Sequence, residues 1–267
     1  MYKLNDLQDF KYVTFPSFDG YDDLIHCFTT RNGGVSDGPF KSMNIGFRTG
    51  DSAENVKRNV EIMAEKLNIN VDNIVRTHQT HTNNVMYVTE EHKGKMLSSS
   101  EIENVDGLYT DKKNIALMSF HADCTPIFFY DPVKKAAGIA HAGWRGTLLN
   151  IAGKMVRAFI DDFNSEPSDI IAAIGPSLCQ DCFEVDKDVA DLFLNENSEF
   201  EKYMKTKGSK YHFNLWEINS FFMRKEGMEE KNIELSNLCT KCNNHMFFSH
   251  RGQGGKRGLL AGIIMMK

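Results

Sequence analysis

Apolar residues recur at helical spacing in several segments of the chain, and the first of these segments predicts a helix that begins near Asp51. Asp51 and Glu54 have the spacing of a capping box, in which each side chain bonds a free backbone N–H at the helix start. The stripe predicted to face the core consists of Val56, Val60, Met63 and Leu67. We interpret this stripe as core packing rather than as a ligand surface.

Short apolar and β-branched runs predict strands elsewhere. These runs lie at residues 85–88, 115–120, 127–130, 136–140, 170–174 and 259–265. Helices are predicted after His141, over residues 185–194 and over residues 215–223, where Trp216, Ile218 and Phe222 can be buried. The helix after His141 has an apolar face made of Leu148, Leu149, Ala152, Met155, Val156 and Phe159.

Helical and strand-like segments alternate along the chain without a repeat or a linker of low complexity. This order predicts one compact α/β or α+β domain over residues 1–267. The composition agrees with a globular protein, since 41% of the 267 residues are hydrophobic and 25% are charged.

Charge and hydropathy exclude several classes of partner. The formal net charge is -5, so the chain lacks the clustered Lys and Arg that nucleic-acid binding requires. No segment approaches the roughly 20 apolar residues that span a bilayer. The first nine residues lack the basic-then-apolar order of a signal peptide, and we therefore expect a cytoplasmic protein.

Histidine and cysteine concentrate in three motifs, which are Thr77-His-Gln-Thr-His81, His121-Ala-Asp-Cys124 and His141-Ala-Gly-Trp-Arg145. The last two are predicted at strand ends, where loops carry functional groups on a rigid scaffold. His81, Cys124 and His141 would supply the two imidazoles and one thiolate of a catalytic zinc site with an open fourth position. Spacing alone is a weak signal, because a single histidine is more often an ordinary hydrogen-bonded residue than a metal ligand.

A set of further motifs runs through nearly the whole chain. It comprises Thr29-Thr-Arg-Asn-Gly-Gly-Val-Ser36, Met43-Asn-Ile-Gly46, Gln79-Thr-His81, Val105-Asp-Gly107, Ala122-Asp-Cys-Thr-Pro126, Ala140-His-Ala-Gly-Trp-Arg-Gly146, Ile174-Gly-Pro176, Phe183-Glu-Val185 and Phe247-Phe-Ser-His-Arg251. On these motifs the chain resembles the YfiH family, also described as the laccase-domain family. The segment from residue 122 to residue 146 is the most specific part of the resemblance.

The resemblance implies an α/β fold with mixed β-sheets flanked by helices. It also implies that His81, Cys124 and His141 are metal ligands, with His81 favoured over His78 because it follows Gln79 by two positions. The implied cofactor is Zn²⁺, with copper the less favoured ion. The implied activity is phosphorolysis of purine nucleosides (adenosine, inosine, guanosine and methylthioadenosine), with adenosine deamination at the same site.

Phosphorolysis needs cationic groups that hold phosphate. Arg145 is the first candidate because it follows His141 by four residues. Arg31 and Arg251, which adjoin glycine-rich turns, and Asn44 are further candidates for substrate binding. A plain turn with a solvated arginine is the alternative for Arg31 and Arg251.

Two other residues beside the proposed ligands have alternative roles. Asp123 is predicted either to orient His141 or a substrate hydroxyl, or to cap the following turn. His121 is predicted to be either a general acid or base, or a histidine with satisfied hydrogen bonds at a strand end.

The pairs Cys179-Gln-Asp-Cys182 and Cys239-Thr-Lys-Cys242 suggest a different protein class, a binding module held together by a structural zinc. The gap between the pairs is much longer than in a zinc ribbon, and a domain of this size needs no structural metal to be stable. Redox chemistry is disfavoured because neither pair clearly begins a helix after a strand.

Two other enzymatic interpretations stay open at this level, and a third, the multicopper oxidase, is disfavoured. A multicopper oxidase requires several coppers bound mostly by imidazole, whereas the chain has nine histidines and no His-x-His pair. Some members of the family are described as amidases that edit peptidoglycan precursors, and a zinc site suits that reaction too. A hydrolase with Cys124 as nucleophile would need no metal.

Overall fold

The computed structural model describes residues 2–97 and 102–267, in which sixteen strands and five α-helices are formed. The strands are β1 (Lys3–Leu7), β2 (Phe10–Thr14), β3 (Leu24–Thr29), β4 (Ile74–His78), β5 (Val85–Tyr87), β6 (Ile102–Glu103), β7 (Gly107–Thr110), β8 (Ala116–His121), β9 (Thr125–Asp131), β10 (Ala136–Ala142), β11 (Ile171–Ile174), β12 (Glu184–Val185), β13 (Met204–Lys207), β14 (Lys210–Phe213), β15 (Ile233–Leu235) and β16 (Leu260–Met266). The helices are α1 (Ala53–Lys66), α2 (Trp144–Leu148), α3 (Ile151–Phe163), α4 (Lys187–Glu196) and α5 (Leu215–Lys225).

Two mixed sheets pack against each other at the centre of the molecule. The first has the order β1-β2-β3-β16-β8-β4-β6, and the second has the order β15-β11-β9-β10-β7-β5. Side chains from facing strands share one buried cluster, in which Leu117 and Ile264 of the first sheet meet Phe128 and Ile139 of the second. A third sheet of β12, β14 and β13 is small.

Helices cover the outer faces of both sheets. Val60 and Met63 of α1 pack on the first sheet in a cluster with Met118 and Ile263. Helices α3 and α5 pack on the second sheet, where Phe159 and Met223 belong to the largest cluster of buried hydrophobic residues. The α/β class with mixed sheets flanked by helices, predicted from the sequence, is confirmed. Over the described part of the chain, no helix is both long and apolar enough to cross a bilayer.

The predicted apolar stripe of α1 is confirmed, because its four members are all buried. The predicted capping box is wrong. The N-cap residue is Ser52, and its side chain makes no capping hydrogen bond. The Asp51 carboxylate instead accepts hydrogen bonds from the Ser52 backbone N–H at 2.8 Å and from the Asn44 side chain at 2.9 Å.

The segment after His141 forms two helices where the sequence predicted one. Asn150 adopts a left-handed conformation with φ of 59°, and its side chain accepts a hydrogen bond from Gly153 N at 2.9 Å. This cap ends α2 and begins α3. Leu149, which lies at the break, is 51% exposed, so its assignment to the buried face is wrong.

The predicted strands are present, with ends that differ by one to two residues. The predicted helix over 185–194 begins later, because Val185 pairs with Tyr211 as part of β12. His121 ends β8 and His141 is the penultimate residue of β10, so both motifs lie at strand ends as predicted.

Candidate metal and substrate site

Three segments from different parts of the fold meet at one end of the two sheets. β4 and β8 are parallel neighbours, so the segment after β4 that carries His81 lies beside the turn that follows β8. That turn, residues 122–124, passes from the first sheet to the second and carries Cys124. His141 pairs with Pro126 at the start of β9, which brings its side chain next to the same turn.

The side chains of His81, Cys124 and His141 converge. One donor atom from each residue lies within 4.8 Å of the donor atoms of the other two. The two imidazole rings have centroids 4.8 Å apart at an angle of 74°, so they present different edges to the space between them. Two imidazole nitrogens and a thiolate are the donors that Zn²⁺ prefers, so the donor set fits this ion.

Gly143 makes room for this convergence. A Cβ at position 143 would lie 2.5 Å from His81 Nδ1 and 3.3 Å from Cys124 Sγ. Both distances are too short for unstrained contacts, so any larger residue here would push the donor atoms apart. The glycine of the His-Ala-Gly-Trp motif is therefore a requirement of the site.

Asp106 organises two of the three candidate ligands. Its Oδ1 accepts a hydrogen bond of 2.8 Å from His141 Nδ1, which leaves Nε2 of that ring for a metal. The same carboxylate accepts the backbone N–H groups of Thr80, His81 and Thr82 at 3.2, 3.1 and 2.9 Å. His81 has a φ of 62°, and these bonds hold its backbone in this unusual conformation.

The charges of the site favour an ionised thiol. Burial raises the pKa of Cys124, but the charges and hydrogen bonds of His141 and His81 together outweigh burial and lower it to about 6. Burial likewise lowers the pKa of His141, but the Cys124 thiolate and Asp106 raise it to about 9. The pKa of Asp106 falls to about 2, since its bonds with His141 and Thr82 outweigh the effect of burial. The site therefore has a negative charge ready for a cation.

His78 does not join the three candidate ligands. Its Nδ1 lies 2.5 Å from Glu103 Oε2, and its Nε2 accepts a hydrogen bond from Arg48 at 2.8 Å. Both ring nitrogens are engaged elsewhere, which favours His81 over His78 as the metal ligand.

A cavity of ≈ 450 Å³ opens beside the three residues. Half-buried aromatic rings in its wall are Phe47, Phe120 and Trp144. Basic side chains in its wall are Arg48, Arg76, His78, His250, Arg251 and Arg257. Aromatic faces suit the stacking of a flat heterocycle, and the clustered arginines suit an anion.

Arg257 is the basic residue most clearly prepared for a ligand. Its Nε is buried and has no hydrogen-bond partner among residues 2–97 and 102–267. Burial lowers its pKa, an effect that the charges of Asp123 and Cys124 oppose. Because Arg257 also lines the cavity, its guanidinium is placed to meet an anion that binds there.

Two of the substrate-binding residues predicted from the sequence are connected with the cavity. Arg251 lies in its wall, with a guanidinium that donates to Glu184 O at 3.2 Å. Asn44 is buried behind the wall, where its Oδ1 accepts from Gly46 N at 2.9 Å and Leu259 N at 2.8 Å. Asn44 therefore positions two wall residues by their backbones.

Two other predicted residues lie outside the cavity wall. Arg145 is exposed, and its guanidinium lies 4.1 Å from the ring centroid of Trp144. The Arg31 side chain donates from Nε to Lys41 O at 2.9 Å and stacks over Phe248. These contacts make Arg31 a link between loops, whereas Arg145 touches the wall residue Trp144 without lining the cavity itself.

Asp123 and His121 have defined partners. The Asp123 carboxylate accepts from Thr240 Oγ1 and from Arg251 N, both at 2.6 Å, while Asp106 rather than Asp123 orients His141. His121 is buried, with Nε2 bonded to Ser119 Oγ at 2.7 Å and Nδ1 to Cys124 O at 3.2 Å. Burial lowers its pKa well below the usual range. Of its two predicted roles, the satisfied histidine is the one these contacts favour.

Sequence reasoning missed the roles of Asp106, Gly143 and Arg257. Asp106 and Gly143 each lie inside a motif of the family resemblance, so a signal existed for both. Arg257 follows a glycine-rich turn and carried no signal, because its burial depends on packing between distant segments.

Known proteins are similar to this chain in sequence and in structure. The family model described as multi-copper polyphenol oxidoreductase laccase matches residues 25–267. The purine nucleoside phosphorylase YlmD of Bacillus subtilis is 39% identical over 92% of this chain and 89% of its own length. The protein of the same name from Geobacillus stearothermophilus is 36% identical over 93% of this chain and 91% of its own length. The crystal structure of the Bacillus licheniformis protein YfiH superposes with a TM-score of 0.92 at 35% identity, over 99% of both chains.

Proposed function

We propose that this chain, which belongs to the family described as multi-copper polyphenol oxidoreductase laccase, is a zinc-dependent purine nucleoside phosphorylase. Two proteins similar to it are named purine nucleoside phosphorylases. We propose adenosine deamination as a second activity of the same site. The main observation that supports the proposal is the convergence of His81, Cys124 and His141 at a cavity with aromatic and cationic side chains in its wall.

The proposed metal ion is Zn²⁺, with His81, Cys124 and His141 as its ligands. Asp106 fixes the ring of His141, and Gly143 leaves room for the other two donors. When bound by three protein ligands, Zn²⁺ supplies Lewis acidity and an open coordination position at the cavity.

Phosphorolysis needs the nucleoside and phosphate to be held side by side. The aromatic side chains of Phe47, Phe120 and Trp144 offer faces for the purine base. Arg257, whose cationic side chain lines the cavity, is the proposed phosphate ligand. A phosphate oxygen then bonds C1′ of the ribose as the bond from C1′ to the purine breaks, and the purine leaves with the proton that the phosphate carried.

Adenosine deamination uses the same base pocket without phosphate. Water replaces the exocyclic amino group of the purine, which leaves as ammonia, and the product is inosine. The residues that bind adenosine for phosphorolysis therefore suffice to hold it for deamination, provided that the base turns its amino group toward the three ligands.

Copper oxidase chemistry has less support from the site. Within the described ranges, two side-chain groups meet the geometry for a metal, and the one at the cavity contains two imidazoles. A set of coppers bound mostly by imidazole requires more histidines than converge here.

Purified protein incubated with adenosine, with and without phosphate, tests the proposal. Free adenine that forms only with phosphate supports phosphorolysis, and inosine supports deamination. The Cys124→Ala variant, prepared in parallel, controls for contaminating enzymes. If neither product forms with the zinc-loaded protein, the proposal is wrong, and amide hydrolysis becomes the next activity to assay.

A further inference from the structure

The two CxxC pairs, which the sequence separates widely, meet in the fold. Each pair follows one of two adjacent parallel strands, β11 and β15, whose register aligns Ile174 with Leu235. The pairing resumes beyond the strands at Ser177 and Cys239, where Ser177 N donates to Leu238 O at 3.1 Å. Because parallel strands end at the same edge of a sheet, the loops that follow them lie side by side.

The four sulfur atoms form one cluster. The Sγ atoms of Cys179, Cys182, Cys239 and Cys242 all lie within 4.8 Å of one another. The Cys182 and Cys242 sulfurs are 3.6 Å apart. In a tetrahedral site with Zn–S bonds of about 2.3 Å, sulfurs are separated by roughly 3.8 Å. The cluster therefore needs only small adjustments to enclose a zinc ion.

The loops have the local geometry that a thiolate-bound metal requires. In the first pair, Cys182 N donates to Cys179 O at 3.0 Å, which closes the turn between the two sulfurs. In the second pair, Cys242 N donates to Cys239 Sγ at 3.5 Å. An N–H directed at sulfur stabilises the thiolate, the form that binds metal. Four sulfur donors select Zn²⁺ over hard ions such as Mg²⁺ and Ca²⁺.

We propose that Cys179, Cys182, Cys239 and Cys242 bind a second Zn²⁺, which fastens the two loops together as a structural site. This site is separate from the ligands at the cavity and shares no residue with them. The long gap between the pairs, which argued against such a site in the sequence, is closed by the β11–β15 pairing.

Both loops also hold Asp123, the neighbour of the candidate ligand Cys124. Leu178 N donates to Asp123 O at 3.1 Å, and Thr240 Oγ1 donates to Asp123 Oδ1 at 2.6 Å. Asp123 has a φ of 83°, so these two contacts support a backbone conformation that is unfavourable by itself. The proposed ion therefore stabilises the turn that carries Cys124, without touching the substrate.

The test is the number of zinc ions per chain in full-length protein purified under reducing conditions. We expect two in the wild type and one in the Cys182→Ser/Cys242→Ser double variant. Cys124→Ala should also hold one, which distinguishes this proposal from the proposed function, because the two variants lose different ions. Cys27→Ala, at a cysteine outside both clusters, should keep two.

If the double variant does not fold, Co²⁺ titration of Cys124→Ala, after its zinc has been removed by chelation under reducing conditions, provides the second measurement. A site of four thiolates gives strong sulfur-to-cobalt charge-transfer absorption, and we expect one equivalent of Co²⁺ to saturate it. The proposal is overturned if this absorption is absent, if wild type and the double variant bind equal amounts of zinc, or if mass spectrometry shows the four cysteines joined in disulfides in the reduced preparation.

Discussion

Asp106 Oδ1 lies 2.8 Å from His141 Nδ1, and neither side chain is more than 5% exposed. This bond fixes the tautomer of the imidazole and directs Nε2 toward Cys124 and His81. The Asp106 carboxylate also anchors the backbone of the loop that carries His81. One carboxylate thus positions two candidate ligands that come from different sheets.

Asp106→Asn should weaken zinc binding at the cavity by about 10- to 100-fold, because an amide is a poorer acceptor for the His141 ring and for the loop N–H groups. Competition with a chromophoric chelator measures the affinity. Asp162→Asn, at a carboxylate that accepts a hydrogen bond from Tyr109 outside the cavity wall, is the matched control. Equal affinity in the two variants would contradict the role given to Asp106.

Cys124→Ala should lose the ion at the cavity together with both proposed activities, since it removes the thiolate and its negative charge. Exhaustive chelation of the wild type should have the same effect on turnover, and added Zn²⁺ should restore it. Metal analysis and an adenosine assay check both outcomes. A variant with unchanged zinc content would show that the ligand is wrongly assigned, and activity that resists chelation would favour a cysteine nucleophile.

Gly143→Ala should displace the donor atoms, because the added Cβ would lie 2.5 Å from His81 Nδ1. Overpacking of this kind costs about 1–3 kcal/mol. A cost of that size in the metal-bound form lowers the affinity for zinc by about 5- to 150-fold. Gly208→Ala is the control, since a Cβ there meets nothing within 4 Å. The positive φ at position 208 should make the Gly208→Ala variant less stable, but its zinc binding should be unchanged. Wild-type affinity in Gly143→Ala would refute the close-approach argument.

Arg257→Gln should raise the KM for phosphate by roughly 10- to 150-fold, the equivalent of a charge-assisted hydrogen bond of about 1.5–3 kcal/mol. Deamination of adenosine, which uses no phosphate, should change much less. Initial rates at varied phosphate concentration give the comparison. Arg145→Gln, at an exposed arginine outside the cavity wall, should stay within about twofold of wild type. The reverse order of effects would return the phosphate role to Arg145.

His26 should make folding sensitive to acid independently of any metal. Burial lowers its pKa to about 4, an effect that the charge of Asp19 only partly opposes. Its Nε2 accepts a hydrogen bond from Phe15 N at 2.9 Å, which requires the neutral ring. Between the unfolded pKa of about 6.5 and the folded value, only the unfolded chain takes up the proton, so the free energy of unfolding decreases as pH falls, by up to about 3 kcal/mol.

Urea denaturation of wild type and His26→Gln measures this contribution. The variant keeps a side-chain acceptor for Phe15 N but does not titrate. The difference between the two proteins should therefore be constant above about pH 7 and should shift in favour of the variant toward about pH 4.5. Parallel pH profiles for the two proteins would show that His26 is not the titrating group.

Local sequence patterns determined much of the secondary structure and part of the site. The stripe of α1 and the apolar runs of the central strands were readable because helix and strand periods depend only on neighbouring residues. Donor chemistry suggests the three candidate ligands, and the motifs of the family resemblance support the same choice. The break at Asn150 was missed, because a left-handed cap within an apolar run has no periodic signal.

Tertiary structure alone decided which groups meet. The bond from Asp106 to His141 and the cluster of the two CxxC pairs both depend on strand pairing between segments far apart in sequence. The buried Nε of Arg257 depends on how a loop packs over that end of the sheets. A periodic pattern records which face of an element is buried, but the partner of that face and the strand order are set by the packing of the whole chain.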